Sequence, residues 1–457
     1  MTLGEMARLA GGRLEAGDPS ALFDGGVSID SRSLRPGDLF FAIAGPRHDG
    51  HDYLREAAGK GAAGVVIQKA LEAPAPAFSI RVPDTTRALQ DLAAGLRRSR
   101  ALQVVAVTGS MGKTTTKEAA ASAIGSARRV LKSEGNLNNF YGLPLSLLKL
   151  EDEEVAVLEM GMSAPGEIAR LTEIARPDVG VLTNVAEVHL EFFGTVDAIA
   201  DAKGELFRGL AEEAIAVVNA DDPLVLAQAR RFSGRKLRFG VEGEADLRGT
   251  AIRSTPEGLR FRAAFRGEEI EIETVLRGRH NVYNLLAGLA AASALDVPFP
   301  DAARALSRLR PARHRGERVD LGRGFVILDE TYNSNPRALR SALEALSEER
   351  AGRRVAVVGD MRELGEGGEE LHRDVGRFAA RLPIDRIVAV GPLAAWILEG
   401  AREAGAPASK LLSIASAEEA GRLLLEELRP GDVVLLKASR GIGLERAIEV
   451  LRKGKEA

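Results

Sequence analysis

The chain has 457 residues, enough for roughly three domains of ordinary size, and its net charge of −3 gives no reason to expect a polyanion-binding surface. Apolar residues make up 45% and aromatic residues 4%, so several cores are affordable and they are mainly aliphatic. Cysteine is absent, which excludes disulfides and thiolate metal sites. No apolar run approaches the ~20 residues of a membrane span, and the first ten residues lack a signal-peptide core. A soluble cytoplasmic protein is the expectation, with neither nucleic acid nor membrane insertion.

Residues 1–83 read as a small α/β unit. A short helix covers Leu3 to Leu9, the turn Arg35-Pro-Gly-Asp38 leads into a strand Leu39–Ile43, and a second strand spans Gly64–Ile67. Ser31 and Arg32 sit in polar turn sequence, and on their own they read as turn chemistry. His48 and His51 lack metal-ligand spacing and are expected to be structural. Residues 74–87, with Pro74, Pro76 and Pro83, read as a linker. Asp84 or Thr85 then caps a helix carrying Leu89, Leu92 and Leu96.

The sharpest signal follows. Val104-Val-Ala-Val107 is an apolar strand, Thr108-Gly-Ser-Met-Gly-Lys-Thr-Thr-Thr116 a glycine turn, and Lys117 onward an alanine-rich helix. Such a turn presents free backbone N–H groups at a helix N-terminus, where they bind phosphate oxygens. Gly109 and Gly112 admit close approach, with Ser110 and Met111 between them. Lys113 reaches terminal phosphates, the Thr114 hydroxyl suits Mg²⁺, and Thr115 continues the run. The usual phosphate loop has four residues between its glycines and this one has two, which argues for a variant nucleotide site.

Further landmarks lie at strand ends, where doubly wound sheets bind ligands. Glu134-Gly-Asn-Leu-Asn-Asn-Phe-Tyr-Gly142, including Asn136 and Asn139, is a polar loop. Val155–Gly161 is a strand carrying Glu159 at its carboxyl end, and Val179–Val185 is another, followed by His189. An acid in that position holds Mg²⁺ directly or through water. Lys203 lies on a helix from Ile199 to Phe207 and, by pattern alone, is a surface lysine. Residues 237–276 read as a β-rich insert. Gly278-Arg-His-Asn281 opens an alanine-rich helix with Asn281 and Asn284 on one face. From 313 to 457 strands and helices alternate in the manner of a doubly wound parallel sheet, with polar strand-end loops that include Asp329 and Glu330.

Taken together these motifs resemble the Mur ligase family over essentially the whole chain. The resemblance rests on Asp30-Ser-Arg32, Asp49-Gly-His51, the phosphate loop, Asn136-Leu-Asn-Asn139, Glu159-Met-Gly-Met-Ser163, Lys203-Gly-Glu205, Gly278-Arg-His-Asn281 and Tyr332-Asn-Ser-Asn-Pro336. Glu-Met-Gly-Met-Ser and Tyr-Asn-Ser-Asn-Pro point to the branch that adds D-alanyl-D-alanine. The branch that adds a diamino acid carries Asp-Asn-Pro-Arg. This chain has Ser334-Asn-Pro-Arg337, without the leading acid and not in that branch's place.

The resemblance implies an α/β fold of three domains. These are a small N-terminal α/β substrate domain (1–83), a central P-loop ATPase-type parallel sheet with a β-rich part (84–312), and a C-terminal Rossmann-like doubly wound domain (313–457). It implies an ATP-dependent, ADP-forming amide ligase of peptidoglycan precursor synthesis, acting through an acyl phosphate. UDP-N-acetylmuramoyl-tripeptide and D-alanyl-D-alanine would be its substrates, and a monomer is expected. Thr114 and Glu159 resemble ligands of one Mg²⁺, His189 and a carbamylated Lys203 those of a second. Asn281 matches the adenine contact. Arg315, with Arg313 as competitor, matches the γ-phosphate arginine, and Asp329 or Glu330 the acid that reaches ATP. Ser31 and Arg32 match the uridine-nucleotide site, Asn136 and Asn139 the sugar–peptide region. The nearest alternative is another amino-acid-adding ligase of the family. A phosphotransferase or nucleotide switch is disfavoured by the short loop and the third domain.

Overall fold

The structure is a computed structural model and describes residues 1–45, 48–70 and 76–454. Three sheets carry the chain, of five, nine and six strands. Among the described residues no helix is long and apolar enough to cross a membrane.

In the first sheet the spatial order is Arg13–Ala16, Phe78–Arg81, Gly64–Ile67, Leu39–Phe41 and Val27–Ser28, with only the first pair antiparallel. Strand alternation sorts its side chains. Leu39 and Phe41 join a cluster with Leu3, Met6 and Leu89, while Phe40 faces Leu54, Ala57 and Val65 on the other side. The linker expected at 74–87 is corrected in its middle: Phe78–Arg81 is a strand between two partners, and Pro76 and Pro83 flank it. Pro74 lies outside the described residues. Asp84 caps the next helix, Thr85–Ser99, its Oδ1 accepting from the Arg87 amide at 2.9 Å. That helix sits between two cores, giving Leu89 and Leu92 to the N-terminal cluster and Ala93 and Ala94 to the central one.

The central sheet runs Val130–Lys132, Val155–Glu159, Gln103–Thr108, Val179–Leu182, Ile215–Asn219 and Arg235–Gly240, all parallel, and then Leu247–Thr255, Gly258–Phe265 and Glu268–Thr274. The last three turn antiparallel to one another. The β-rich insert is therefore an extension of the same sheet rather than a separate layer. Gln103–Thr108 lies between strands reached in opposite directions, so a crevice opens at its carboxyl end. Helices Lys113–Ile124 and Arg279–Ala294 share one face of the sheet. Gly288 has no Cβ, and one placed there would come within 2.6 Å of the Ala119 Cβ. This close approach brings Asn281 and Asn284 beside the phosphate loop.

The third sheet has the order Glu317–Asp320, Val326–Glu330, Asp432–Lys437, Arg353–Gly359, Arg386–Val390 and Leu411–Ile414, parallel except for its first, edge strand. That edge strand was not read from sequence. The loop after Arg353–Gly359 is pinned by His372, a fully buried residue whose Nε2 accepts from the Met361 amide at 2.9 Å and whose Nδ1 donates to the Gly368 carbonyl at 2.6 Å.

Burial pushes the His372 imidazole below its ordinary value, against smaller opposing effects of the Gly368 carbonyl and Asp360. Below pH ~6.5 the unfolded chain then binds the extra proton first, so stability is lost as pH falls. Urea unfolding at pH 7 and pH 5 should show the wild type losing more stability than His372→Gln, whose side chain offers one donor and one acceptor but does not titrate. Equal losses in the two proteins would remove His372 as the cause.

Candidate functional site

The carboxyl ends of the parallel central strands and of two strands of the third sheet surround one cavity of about 820 Å³. The short phosphate loop forms its floor. It is held from the neighbouring strand end: the Thr183 hydroxyl donates to the Met111 carbonyl at 2.7 Å, and the Asn184 Oδ1 accepts from the Met111 amide at 3.0 Å. Gly109 and Gly112 have φ of 149° and 77°, a region that favours glycine. A side chain on Gly109 would strike Thr183, and one on Gly112 would strike Asn284. Two residues between the glycines suffice here because Thr183 and Asn184 complete the turn.

Lys113 opens the helix. Its Nζ donates to the carbonyls of Gly109 at 2.9 Å and Ser110 at 3.4 Å. Burial lowers its pKa, Glu159 opposes the shift and Arg315 adds to it. The Thr114 hydroxyl donates to Glu159 Oε2 at 2.7 Å, and Asn138 Nδ2 donates to Glu159 Oε1 at 2.8 Å. Behind them the Glu159 amide donates to the Ser133 hydroxyl, whose own carbonyl takes the buried Lys117 ammonium at 2.6 Å.

Lys203 is not a surface lysine. It is 2% exposed, lines the cavity, and its amine has no hydrogen-bond partner among the described residues. Burial first, and the nearby Lys113 second, hold its pKa well below the ordinary lysine value. His189 follows the strand Val179–Leu182 in a left-handed backbone conformation, φ 57°. Its Nδ1 lies 2.6 Å from Glu363 Oε2 of the third domain.

Of the residues picked out from sequence, Ser110 to Thr115, Asn139, Glu159, His189, Lys203, Asn281, Arg315 and Glu330 line the cavity. Gly109, the first glycine of the loop, packs against Thr183 and does not line the cavity. Asn281 Oδ1 accepts from Asn284 Nδ2 at 2.9 Å, and its own amide donates to the Arg277 carbonyl. Two choices left open by the sequence are separated. Arg315 stacks on the Tyr332 ring at 3.7 Å inside the cavity, whereas Arg313 faces a second, smaller cavity. Glu330 pairs with the buried Lys437 at 3.1 Å, whereas Asp329 turns away to His314 and Thr331.

Asn136 is exposed and outside the cavity. Ser31 and Arg32 lie apart on the first domain, where Arg32 pairs with Asp30 at 2.8 Å and the Ser31 carbonyl takes Lys60. His51 is structural, held between Asp49 and the Gln68 amide. Sequence reasoning passed over Asn138, Asn184, His280, Lys437 and Glu363. For Asn138 the run of three asparagines was a signal, although it did not say which one turns inward.

Phosphate-loop groups from one domain, faced across a cavity by cations and an acid from a doubly wound domain, define a multidomain nucleotide-binding protein of the phosphate-loop class. Three family models match the chain in order: Mur ligase family, catalytic domain, over residues 25–97; Mur ligase middle domain over 107–292; and Mur ligase, glutamate ligase domain, over 314–440. The chain belongs to the Mur ligase family. It is 35% identical over 429 residues to the UDP-N-acetylmuramoyl-tripeptide–D-alanyl-D-alanine ligase of Bacillus subtilis, covering 93% of each chain. The ligase of the same name from Escherichia coli is 33% identical, covering 99% of this chain and 98% of its own. Among solved structures, MurF from Acinetobacter baumannii superposes with a TM-score of 0.89 at 31% identity, covering 98% of both chains. The MurF ligase of Thermotoga maritima in complex with ADP gives 0.83 at 34%, covering 95% of this chain and 99% of that one.

Proposed function

We propose that the protein is an ATP-dependent, ADP-forming ligase that joins D-alanyl-D-alanine to UDP-N-acetylmuramoyl-tripeptide in peptidoglycan precursor synthesis. The observation that carries this reading is the shared cavity, in which Lys113 and Glu159 of the central domain meet Arg315, Glu330 and Lys437 of the third. Full-length similarity to ligases of that name supports the choice of substrates.

A free carboxylate is a poor electrophile. In this reading a terminal carboxylate oxygen of the tripeptide attacks the γ-phosphorus of ATP, and ADP leaves. The amine of D-alanyl-D-alanine then attacks the acyl carbon, and inorganic phosphate departs with the oxygen it had gained. The amide forms as the nitrogen gives up its proton. Negative charge grows on the phosphoryl oxygens and then on the tetrahedral carbon's oxygen, so fixed cations are the main device for stabilising it. Lys113 and Arg315 take that role. Asn281 holds the adenine end, Ser31 and Arg32 the uridine nucleotide, and Asn136 and Asn139 the sugar–peptide part.

The residues fit Mg²⁺. Thr114 and Glu159 offer adjacent hard oxygens, and among the described residues there is no group of three or more His, Asp or Glu that would make a self-sufficient protein cage. Mg²⁺ usually takes only one or two carboxylates and completes its shell with substrate phosphate and water. Thr114 and Glu159 would hold one ion, His189 and a carbamylated Lys203 another. Bound there, the ions would neutralise charge on the phosphoryl group.

ADP release should require both the UDP-linked tripeptide and D-alanyl-D-alanine in a coupled assay. A single amino acid as acceptor should fall short by ~100-fold or more in kcat/KM, because the site would leave groups meant for the second residue unpaired. Equal turnover with a single amino acid would assign the protein to another branch of the family.

A further inference from the structure

The contact between His189 and Glu363 crosses from the central domain to the third. It has two parts. The Glu363 side chain meets His189 Nδ1 at 2.6 Å, and the Glu363 carbonyl accepts from the Glu191 amide at 3.2 Å. Both His189 and Glu363 have positive φ, 57° and 64°, although neither is glycine. Such backbone geometry costs free energy and persists where surrounding contacts impose it. The loop that carries Glu363 is anchored at Met361 by the buried His372, so the carboxylate is presented from a fixed support.

An ionised carboxylate only accepts hydrogen bonds, so the nitrogen facing it carries the proton. With Nδ1 engaged in this way, Nε2 is the nitrogen left with a lone pair, and His189 lines the cavity beside Lys203. Metal-binding imidazoles are ordinarily set in this manner, with the far nitrogen donating to a carboxylate.

We propose that Glu363 is a positioning residue for the metal: it fixes the tautomer and direction of His189 from the opposite domain, so that this ligand is fully formed only when the third domain is docked. The inference rests on the reading of His189 as a metal ligand. It makes metal binding and domain docking linked events, each favouring the other by the same factor. It also gives the loop at 360–365 a role that its distance in sequence from the phosphate loop conceals.

Mn²⁺ provides the test, bound to the full-length protein with ADP. Electron paramagnetic resonance reads free Mn²⁺, and electron spin-echo modulation reads the imidazole nitrogen on bound Mn²⁺. Glu363→Ala should weaken the Mn²⁺ site by about 10- to 100-fold and diminish the nitrogen signal, while Glu363→Gln, whose amide oxygen still accepts from Nδ1, should stay within ~3-fold of wild type. ADP affinity should be unchanged in both, which shows that the phosphate loop is intact. His189→Ala serves as the reference. If it abolishes the nitrogen signal while Glu363→Ala changes nothing, the positioning role is overturned and the metal reading stands. If His189→Ala itself leaves Mn²⁺ binding unaltered, both fail. Equal weakening by Glu363→Ala and Glu363→Gln would mean that charge acts rather than the hydrogen bond, and would also overturn the positioning role.

Discussion

Replacing Lys203 with alanine should lower ADP release by about two to three orders of magnitude, and added acetate should restore part of the loss. The reason lies in the surroundings of the amine. Lys203 is 2% exposed, has no hydrogen-bond partner among the described residues, and shares its neighbourhood with Lys113. Burial and the neighbouring cation both oppose its charge, so the amine is neutral over a wider pH range than an ordinary lysine. A neutral amine attacks the carbon of CO₂, forming an N–C bond as one C=O π pair moves to oxygen, and the nitrogen releases a proton to solvent. The carbamate that results is an anion with two hard oxygens, suited to Mg²⁺ and attractive to Lys113. Acetate presents the same two oxygens in the space that alanine leaves. Lys203→Arg should gain nothing from acetate, since guanidinium stays positive and fills the space. The assay is steady-state ADP release in bicarbonate-free buffer, with and without acetate. Near-normal activity of Lys203→Ala there would discard the carbamate.

The parts of this site that were legible in the sequence are those fixed by local pattern. A strand, a glycine pair and a helix placed Lys113 and Thr114. The ends of apolar runs placed Glu159 and His189. Choices that depend on which way a side chain turns were not legible. Asp329 and Glu330 are neighbours on a strand, so their side chains leave on opposite faces and only one enters the cavity. Arg313 and Arg315 flank His314, whose φ of 62° reverses the chain and sends the two arginines to different cavities. Asn138 is selected by pairing between distant segments, since its carbonyl takes the Gly161 amide at 2.8 Å and thereby brings its side chain onto Glu159. Phe78–Arg81 looked like linker because prolines surround it, and it becomes a strand only through partners at Arg13–Ala16 and Gly64–Ile67. Lys203 is the sharpest case. A lone lysine on a polar-looking helix gives no sign of burial, and the neighbours that bury it come from other segments of the fold.

Lys113→Met should produce the other large loss, about 10²- to 10³-fold in kcat for ADP release, with a smaller effect on ADP affinity. The ammonium now donates to the Gly109 and Ser110 carbonyls at 2.9 and 3.4 Å, so it is folded along the loop that also presents the phosphate-binding amides. Reaching a terminal phosphate requires it to exchange those carbonyls for phosphoryl oxygens. The exchange is most favourable when charge on the oxygens is greatest, at the transition state, and this is why kcat should suffer more than binding. ADP, which lacks the γ-phosphoryl group, should report mainly on the backbone amides that methionine leaves in place. Lys113→Arg should not rescue. The guanidinium is broader than an ammonium, and the loop it would follow has only Ser110 and Met111 between its glycines. Folding gives an independent check. Burial already disfavours the Lys113 cation, so removing it should leave the melting temperature unchanged or raise stability by roughly 0.5–2 kcal/mol. Steady-state kinetics, ADP calorimetry and thermal unfolding on the same preparation separate these effects. Turnover of Lys113→Met within about tenfold of wild type would show that the ammonium does not act on the transferred phosphoryl group.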